Sequence, residues 1–134
     1  MSLFVDTSAL LAVMVAADEC HAPACLVWRD LMAGDEPLLT TNYVLLESCA
    51  VLQRRIGMKA VQLLVGTLAP VLQVHWVEPH VHEAAVGALL AANSRDLSLV
   101  DCVSFAVMRE LGLTRAFTFD QHFADQGFEI VPPS

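Results

Sequence analysis

Four acidic residues, far apart in the chain, stand where side chains of their type could act together: Asp6, Glu47, Asp101 and Asp120. Asp6 directly follows the apolar run Leu3-Phe4-Val5, and Asp120 directly follows Ala116-Phe117-Thr118-Phe119. Glu47 falls in the second turn of a helix expected after Leu38 to Thr40, and Asp101 in the first turn of a helix expected from Ser98. The residues three and four positions from Glu47 are Tyr43, Val44, Ala50 and Val51, with no cation among them. A helical carboxylate with such neighbours is expected to face inward. Removed from water it must be protonated, hydrogen-bonded or bound to a cation, because an unpaired buried charge is costly. The chain has only seven Lys and Arg, none obviously placed to neutralise four clustered acids. A divalent metal ion meets that need, and oxygen-only ligands select Mg²⁺ or Mn²⁺ over zinc. One or two such ions would activate a bound water and offset negative charge developing on a substrate. Asp6 and Asp101 are the expected direct ligands. Glu47 and Asp120 could bind directly, act through water or help deprotonate the nucleophile.

Each acid also has a purely structural use. Asp6 can cap the first helix, Ser98-x-x-Asp101 matches a capping box, Asp120 suits a turn before Gln121-His122-Phe123, and Glu47 could simply face solvent. Those explanations are four separate accidents, whereas a shared metal needs one cause.

The elements that must position these residues alternate between strand and helix. Strands are expected at Leu3 to Val5, Leu38 to Thr40, Val71 to Val77, Ala116 to Phe119 and Phe128 to Val131. Helices are expected at Ala9 to Ala17, His21 to Ala33, Thr41 or Asn42 to Ile56, Met58 to Leu68, His80 to Ala92 and Ser98 to Leu111, with Gly34, Gly57 and Gly112 as stops. Short continuous apolar strands between helices describe a parallel sheet covered on both faces. The expected fold is α/β: a three-layer α/β/α sandwich with a central parallel sheet of about five strands, in a single domain spanning residues 1–134. Ligands of such sheets bind beyond the carboxyl ends of the strands, so the first and fourth strands must be neighbours for Asp6 and Asp120 to meet.

Composition narrows the function classes. With 134 residues, 56% hydrophobic and 16% charged, the chain is a folded globular protein rather than a disordered one. A net charge of −8 argues against gripping nucleic acid through a broad basic face. It leaves open contact with phosphates through bound metal. The apolar start lacks a basic segment and carries Asp6, so it does not read as an export signal. The longest run without charged residues, Ala60 to Val77, is split by Pro70, so no membrane span is expected. Four cysteines without a CxxC pair read as reduced thiols of a cytoplasmic protein.

In four segments the sequence resembles the PIN-domain ribonucleases, in particular the VapC-type toxins of toxin–antitoxin pairs. These are Leu3-Phe4-Val5-Asp6-Thr7-Ser8-Ala9-Leu10, Asn42-Tyr43-Val44-Leu45-Leu46-Glu47, Asp96-Leu97-Ser98-Leu99-Val100-Asp101-Cys102 and Phe117-Thr118-Phe119-Asp120-Gln121-His122-Phe123. The order and spacing of the four carry the resemblance over nearly the whole chain. It implies a metal-dependent endoribonuclease with Asp6, Glu47, Asp101 and Asp120 as its catalytic and metal-binding acids, and Mg²⁺ or Mn²⁺ as cofactor. Thr7 and Thr118 are hydroxyls adjacent to that site in the matching motifs. It also implies RNA as substrate, a homodimer, and a cognate antitoxin that occupies the groove. One feature strains the match: with the four acids set aside, eleven acids still face seven bases. Any RNA contact is therefore expected to be local; Arg54, Arg55, Arg95 and Arg115 are available for it, but each reads more simply as a solvated surface charge and none is singled out as a binding residue. The rival reading is a non-catalytic PIN-like interaction module whose acidic pocket docks a basic partner. Zinc held by Cys20, His21 and Cys25, or by His80, His82 and Glu83, lacks the paired spacing of a structural site.

Overall fold

Residues 2–134 are described by a computed structural model. Five strands, β1 (Leu3–Val5), β2 (Leu38–Thr41), β3 (Gln73–His75), β4 (Arg115–Phe117) and β5 (Glu129–Val131), form one sheet in the order β3-β2-β1-β4-β5. Every pairing is parallel. Seven α-helices connect and cover the strands: α1 (Thr7–Met14), α2 (His21–Ala33), α3 (Asn42–Arg55), α4 (Met58–Leu63), α5 (Pro79–Ala92), α6 (Leu99–Leu111) and α7 (His122–Asp125).

The sheet order follows from which strand is greasiest. Leu3, Phe4 and Val5 are all fully buried, as a central strand with helices on both faces requires. β1 pairs with β2 through Leu3↔Leu38 and with β4 through Phe4↔Ala116 and Val5↔Phe117. The required adjacency of the first and fourth strands is thus present, and the Asp6 N–H extends it by donating to the Phe117 carbonyl at 3.1 Å. Phe123 of α7 packs edge-on against Phe105 of α6, with ring centroids 4.9 Å apart, and against Phe4. That aromatic cluster anchors the short helix following Asp120.

Several boundaries differ from the sequence expectation. The first helix begins earlier, at Thr7, because the Asp6 side chain caps it, and it ends at Met14. The helix expected over Met58 to Leu68 loses its regular form after Leu63: Leu64–Leu68 is a π-helical turn that buries Leu64 and Leu68. A 3₁₀ turn over Ala69–Val71 then accommodates Pro70, so β3 starts only at Gln73. β4 ends at Phe117, which moves Asp120 from the strand end to a turn stabilised by its own side chain. Among the described residues, no helix is long and apolar enough to cross a membrane.

Candidate active site

Asp6 sits where the chain leaves the middle of the sheet for α1. Its Oδ2 accepts the Ser8 backbone N–H at 3.3 Å, the Ser8 hydroxyl at 2.7 Å and the Thr118 hydroxyl at 2.9 Å. Both hydroxyls are fixed from the β4 side: Ser8 Oγ accepts the Phe119 N–H, and Thr118 Oγ1 accepts the Asp120 N–H, each at 3.0 Å. Two backbone donors beyond β4 therefore aim two hydroxyl protons at one carboxylate oxygen beyond β1. Asp6 is only 2% exposed. Burial pushes its carboxyl up to about 6 against the lowering effect of those two hydroxyls, and the nearby Asp101 charge raises it further.

Asp101 lies in the first turn of α6 and closes a capping box. Its N–H donates to Ser98 Oγ at 3.0 Å, and its Oδ2 accepts the Ser98 N–H at 3.1 Å. Burial raises the Asp101 carboxyl, as does the Asp120 charge; the Ser98 hydrogen bonds and His122 oppose the rise. Capping leaves capacity to spare, since an ionised carboxylate offers about four lone-pair sites. Asp120 uses Oδ1 to accept the His122 backbone N–H at 2.9 Å, and the same oxygen lies 2.8 Å from His122 Nδ1.

All four acids singled out in the sequence line one cleft of about 390 Å³, together with Thr7, Ser8, Ser98 and, from α3, Val51, Arg54 and Arg55. They do not meet equally. Asp101 and Asp120 each offer a ligating atom within 4.8 Å of the other, and the third member of that close group is His122 rather than Asp6 or Glu47. Asp6 is joined to Asp120 through Thr118. Glu47 is half-buried, because the inward line of α3 is Val44, Ser48 and Leu52 and Glu47 is one position off it. It faces the cleft instead of the core. His122 was not among the sequence candidates. The signal for it was its position two residues after Asp120, where a turn-forming Asp side chain folds back on the chain.

The remaining titratable candidates lie elsewhere. His80 pairs with Glu110 at 3.2 Å, His82 Nδ1 meets the Tyr43 hydroxyl, and His21 Nδ1 lies 2.8 Å from the Ala12 carbonyl oxygen. Arg115 is bound to Glu36 and Glu129 at 2.7 and 3.0 Å, at the start of β4 and away from the cleft. The four thiols are free.

The residues present suit a hard divalent cation. Among the described residues, no Lys or Arg forms a salt bridge with Asp6, Glu47, Asp101 or Asp120. Two of these acids have carboxyls raised by burial and by a neighbouring carboxylate, Asp6 by Asp101 and Asp101 by Asp120, which is the signature of negative charge lacking a counter-ion. Beside them the Thr7 hydroxyl oxygen is buried with no hydrogen-bond partner. Carboxylate oxygens dominate the donor set, and His122 adds a nitrogen at its edge.

Comparison with known proteins agrees with this arrangement. Residues 3–129 match the PIN domain. The 23S rRNA-specific endonuclease VapC20, present in two strains of Mycobacterium tuberculosis, is 38% identical over 133 residues, covering 98% of each chain. The crystal structure of Mycobacterium tuberculosis VapC20, described as a sarcin–ricin loop cleaving toxin, superposes with a TM-score of 0.84 at 35% identity, over 95% of this chain and 96% of that one. FitAcB from Neisseria gonorrhoeae shares the fold at a TM-score of 0.67 and 12% identity, over 96% of this chain and 95% of that one. By sequence, by sheet order and by the acids at the carboxyl edge of that sheet, the chain belongs to the PIN-domain family.

Proposed function

We propose that this chain is an endoribonuclease that hydrolyses RNA phosphodiester bonds, acts as the toxin of a toxin–antitoxin pair, and uses Mg²⁺ or Mn²⁺ held by Asp6, Glu47, Asp101 and Asp120. The observation that carries the reading is the convergence of these four acids, from four separate elements, on one cleft without a salt bridge to Lys or Arg. The extent of similarity to 23S rRNA-specific endonucleases supports ribosomal RNA as the substrate class, and makes a hairpin carrying the sarcin–ricin loop the first to test.

Divalent cations bound there would supply Lewis-acid activation of water and neutralise charge at phosphorus. The protein's own part is orientation. Ser8 and Thr118 hold Asp6 in one rotamer, the capping box holds Asp101, and the His122 ring and backbone hold Asp120. A ligand set fixed in advance needs no reorganisation when the transition state forms. Glu47 forms no salt bridge among the described residues and lines the cleft from α3. It is the carboxylate free to accept the proton of the attacking water as the P–O ester bond breaks. The end of β1, the first turn of α6 and the turn after β4 thus supply ligands, and Glu47 on α3 completes the set and stands where a base is needed.

The family resemblance adds a cognate antitoxin and a homodimer. Both are consistent with apolar side chains left in solvent on and after α3, including Leu46, Ile56 and Met58. Within the chain, residues 1–134 act as one catalytic domain. The purely docking alternative, an acidic pocket for a basic partner, is disfavoured by the two arginines on the same cleft.

Cleavage of the hairpin by the purified protein, with Mn²⁺ or Mg²⁺ and after EDTA, tests the proposal. Cleavage should require the ion and fall at least a hundredfold in Asp101→Asn. Full-rate cleavage by that variant, or in EDTA, would overturn it. An equilibrium Mn²⁺ titration of Glu47→Gln against the wild type separates loss of a ligand from loss of a base.

A further inference from the structure

Glu47, Val51, Arg54 and Arg55 all line the cleft, and their spacing of four, seven and eight residues places them on one face of α3. That stripe changes character along its length. It begins with a carboxylate among the other acids, passes through an apolar turn, and ends in two exposed guanidinium groups about 11 Å further along the helix axis. The chain is strongly acidic, and only seven cations are distributed over 134 residues. Two of them stand on this wall, and Lys59 follows in the first turn of α4. A position in the last turn of α3 favours a cation by the helix dipole. The dipole does not account for both residues lining a cleft, nor for the absence, among the described residues, of any salt bridge to either.

We propose that Arg54 and Arg55 form a phosphate clamp that holds the RNA strand on one side of the scissile bond, so that the strand runs along α3 from the acids to the arginines. The inference rests on the endoribonuclease reading above. A phosphodiester strand is the ligand that suits this polarity: one phosphate must lie among the acids with their cations, and a neighbouring phosphate needs a cation supplied by the protein. Guanidinium groups grip phosphate oxygens in paired, charge-assisted hydrogen bonds. The clamp also explains how a protein of net charge −8 can hold RNA without a broad basic surface. Of the four arginines considered from sequence, Arg115 is already engaged by two carboxylates and Arg95 lies outside this cleft.

The test compares wild type, Arg54→Gln/Arg55→Gln and Arg54→Lys/Arg55→Lys, with Arg29→Gln as an exposed control outside the cleft. Two readouts are taken on the sarcin–ricin hairpin: KM and kcat with Mn²⁺, and Kd in EDTA across a salt series. The double Gln variant should raise KM on the order of tenfold, with kcat changed less than twofold. Its plot of log Kd against log salt should lose about 0.7 in slope, the value for one phosphate no longer neutralised on a single strand. The double Lys variant should restore the slope while recovering KM only in part, because lysine keeps the charge and loses the fork. Unchanged KM and unchanged slope in the double Gln variant, or equal losses in Arg29→Gln, would overturn the clamp. Absence of any cleavage by the wild type defeats the nuclease reading instead, and the salt slope still decides whether the two arginines hold RNA.

Discussion

The Thr118 hydroxyl donates to Asp6 Oδ2 at 2.9 Å across 112 residues of sequence, and its own oxygen accepts the Asp120 N–H at 3.0 Å. One threonine, fully buried, therefore couples two of the four acids. Because its proton goes to the ionised form of Asp6, it holds that carboxyl lower than burial alone would. Thr118→Val, which removes the hydroxyl at nearly constant volume, should cost about 1–3 kcal/mol of stability. It should also move the acidic limb of the cleavage pH profile upward, so that activity is lost more at pH 6 than at pH 8. Thr118→Ser should restore the profile. A profile that keeps its shape in Thr118→Val would show that the hydroxyl does not tune Asp6.

Asp6 makes stability depend on pH in an unusual direction for an aspartate. Burial pushes its folded carboxyl up to about 6 from the ordinary 3.8, so between those values the folded state keeps a proton that the unfolded chain has released. The stabilising contribution is complete below the unfolded value and disappears as pH rises through about 6. The whole shift corresponds to roughly 3 kcal/mol. In EDTA, Asp6→Asn should therefore gain thermal stability relative to wild type as pH is raised from 4 to 7, and the gap should level off above 7. Melting curves of the two proteins over that range would measure it, and a constant gap would count against a strained carboxylate at this position.

Addition of a divalent cation should reverse that penalty. An ion that binds only the folded state stabilises it by about 3 kcal/mol at a hundred times its Kd. Mn²⁺ or Mg²⁺ should raise the melting temperature of wild type by several degrees at pH 7.5, and by much less in Asp101→Asn. The readout needs no RNA, so it tests the cation site separately from turnover.

His122 is held to Asp120 at both its backbone and its ring. Removing the ring in His122→Ala leaves the backbone bond to Asp120 Oδ1 and takes away the second contact that fixes the same oxygen. Mn²⁺ affinity should fall about tenfold or more, in line with the loss of a partner that orients a ligand. His122→Asn, which can still offer a donor at short range, should recover part of the affinity. Isothermal titration with Mn²⁺ distinguishes the three proteins. Equal affinities would place His122 outside the site's function.

Much of this arrangement was legible in the sequence because local signals and tertiary requirements agreed. The apolar runs marked all five strands, and cap residues marked the starts of α1, α3 and α6. The competing explanations for Asp6 and Asp101 also turned out to be compatible with the site. Both residues cap helices, and helix N-termini are where this fold delivers its carboxylates. The π-helical turn at Leu64–Leu68 was not legible, because its irregularity answers the need to bury Leu64 and Leu68 together and no local residue preference encodes that. His122 escaped for a similar reason. Its place beside Asp101 depends on Phe123 packing into the Phe4 and Phe105 cluster, a contact between three distant segments.

The pairing of β1 with β4 has a consequence for the timing of the protein's birth. Asp6 leaves the ribosome well before its hydroxyl partner and the adjoining carboxylate, which arrive more than a hundred residues later. A nascent chain that has emerged only as far as α6 carries Asp6, Glu47 and Asp101 without the strand that fixes the Asp6 carboxylate, so the four acids come together only once β4 and the turn after it are made.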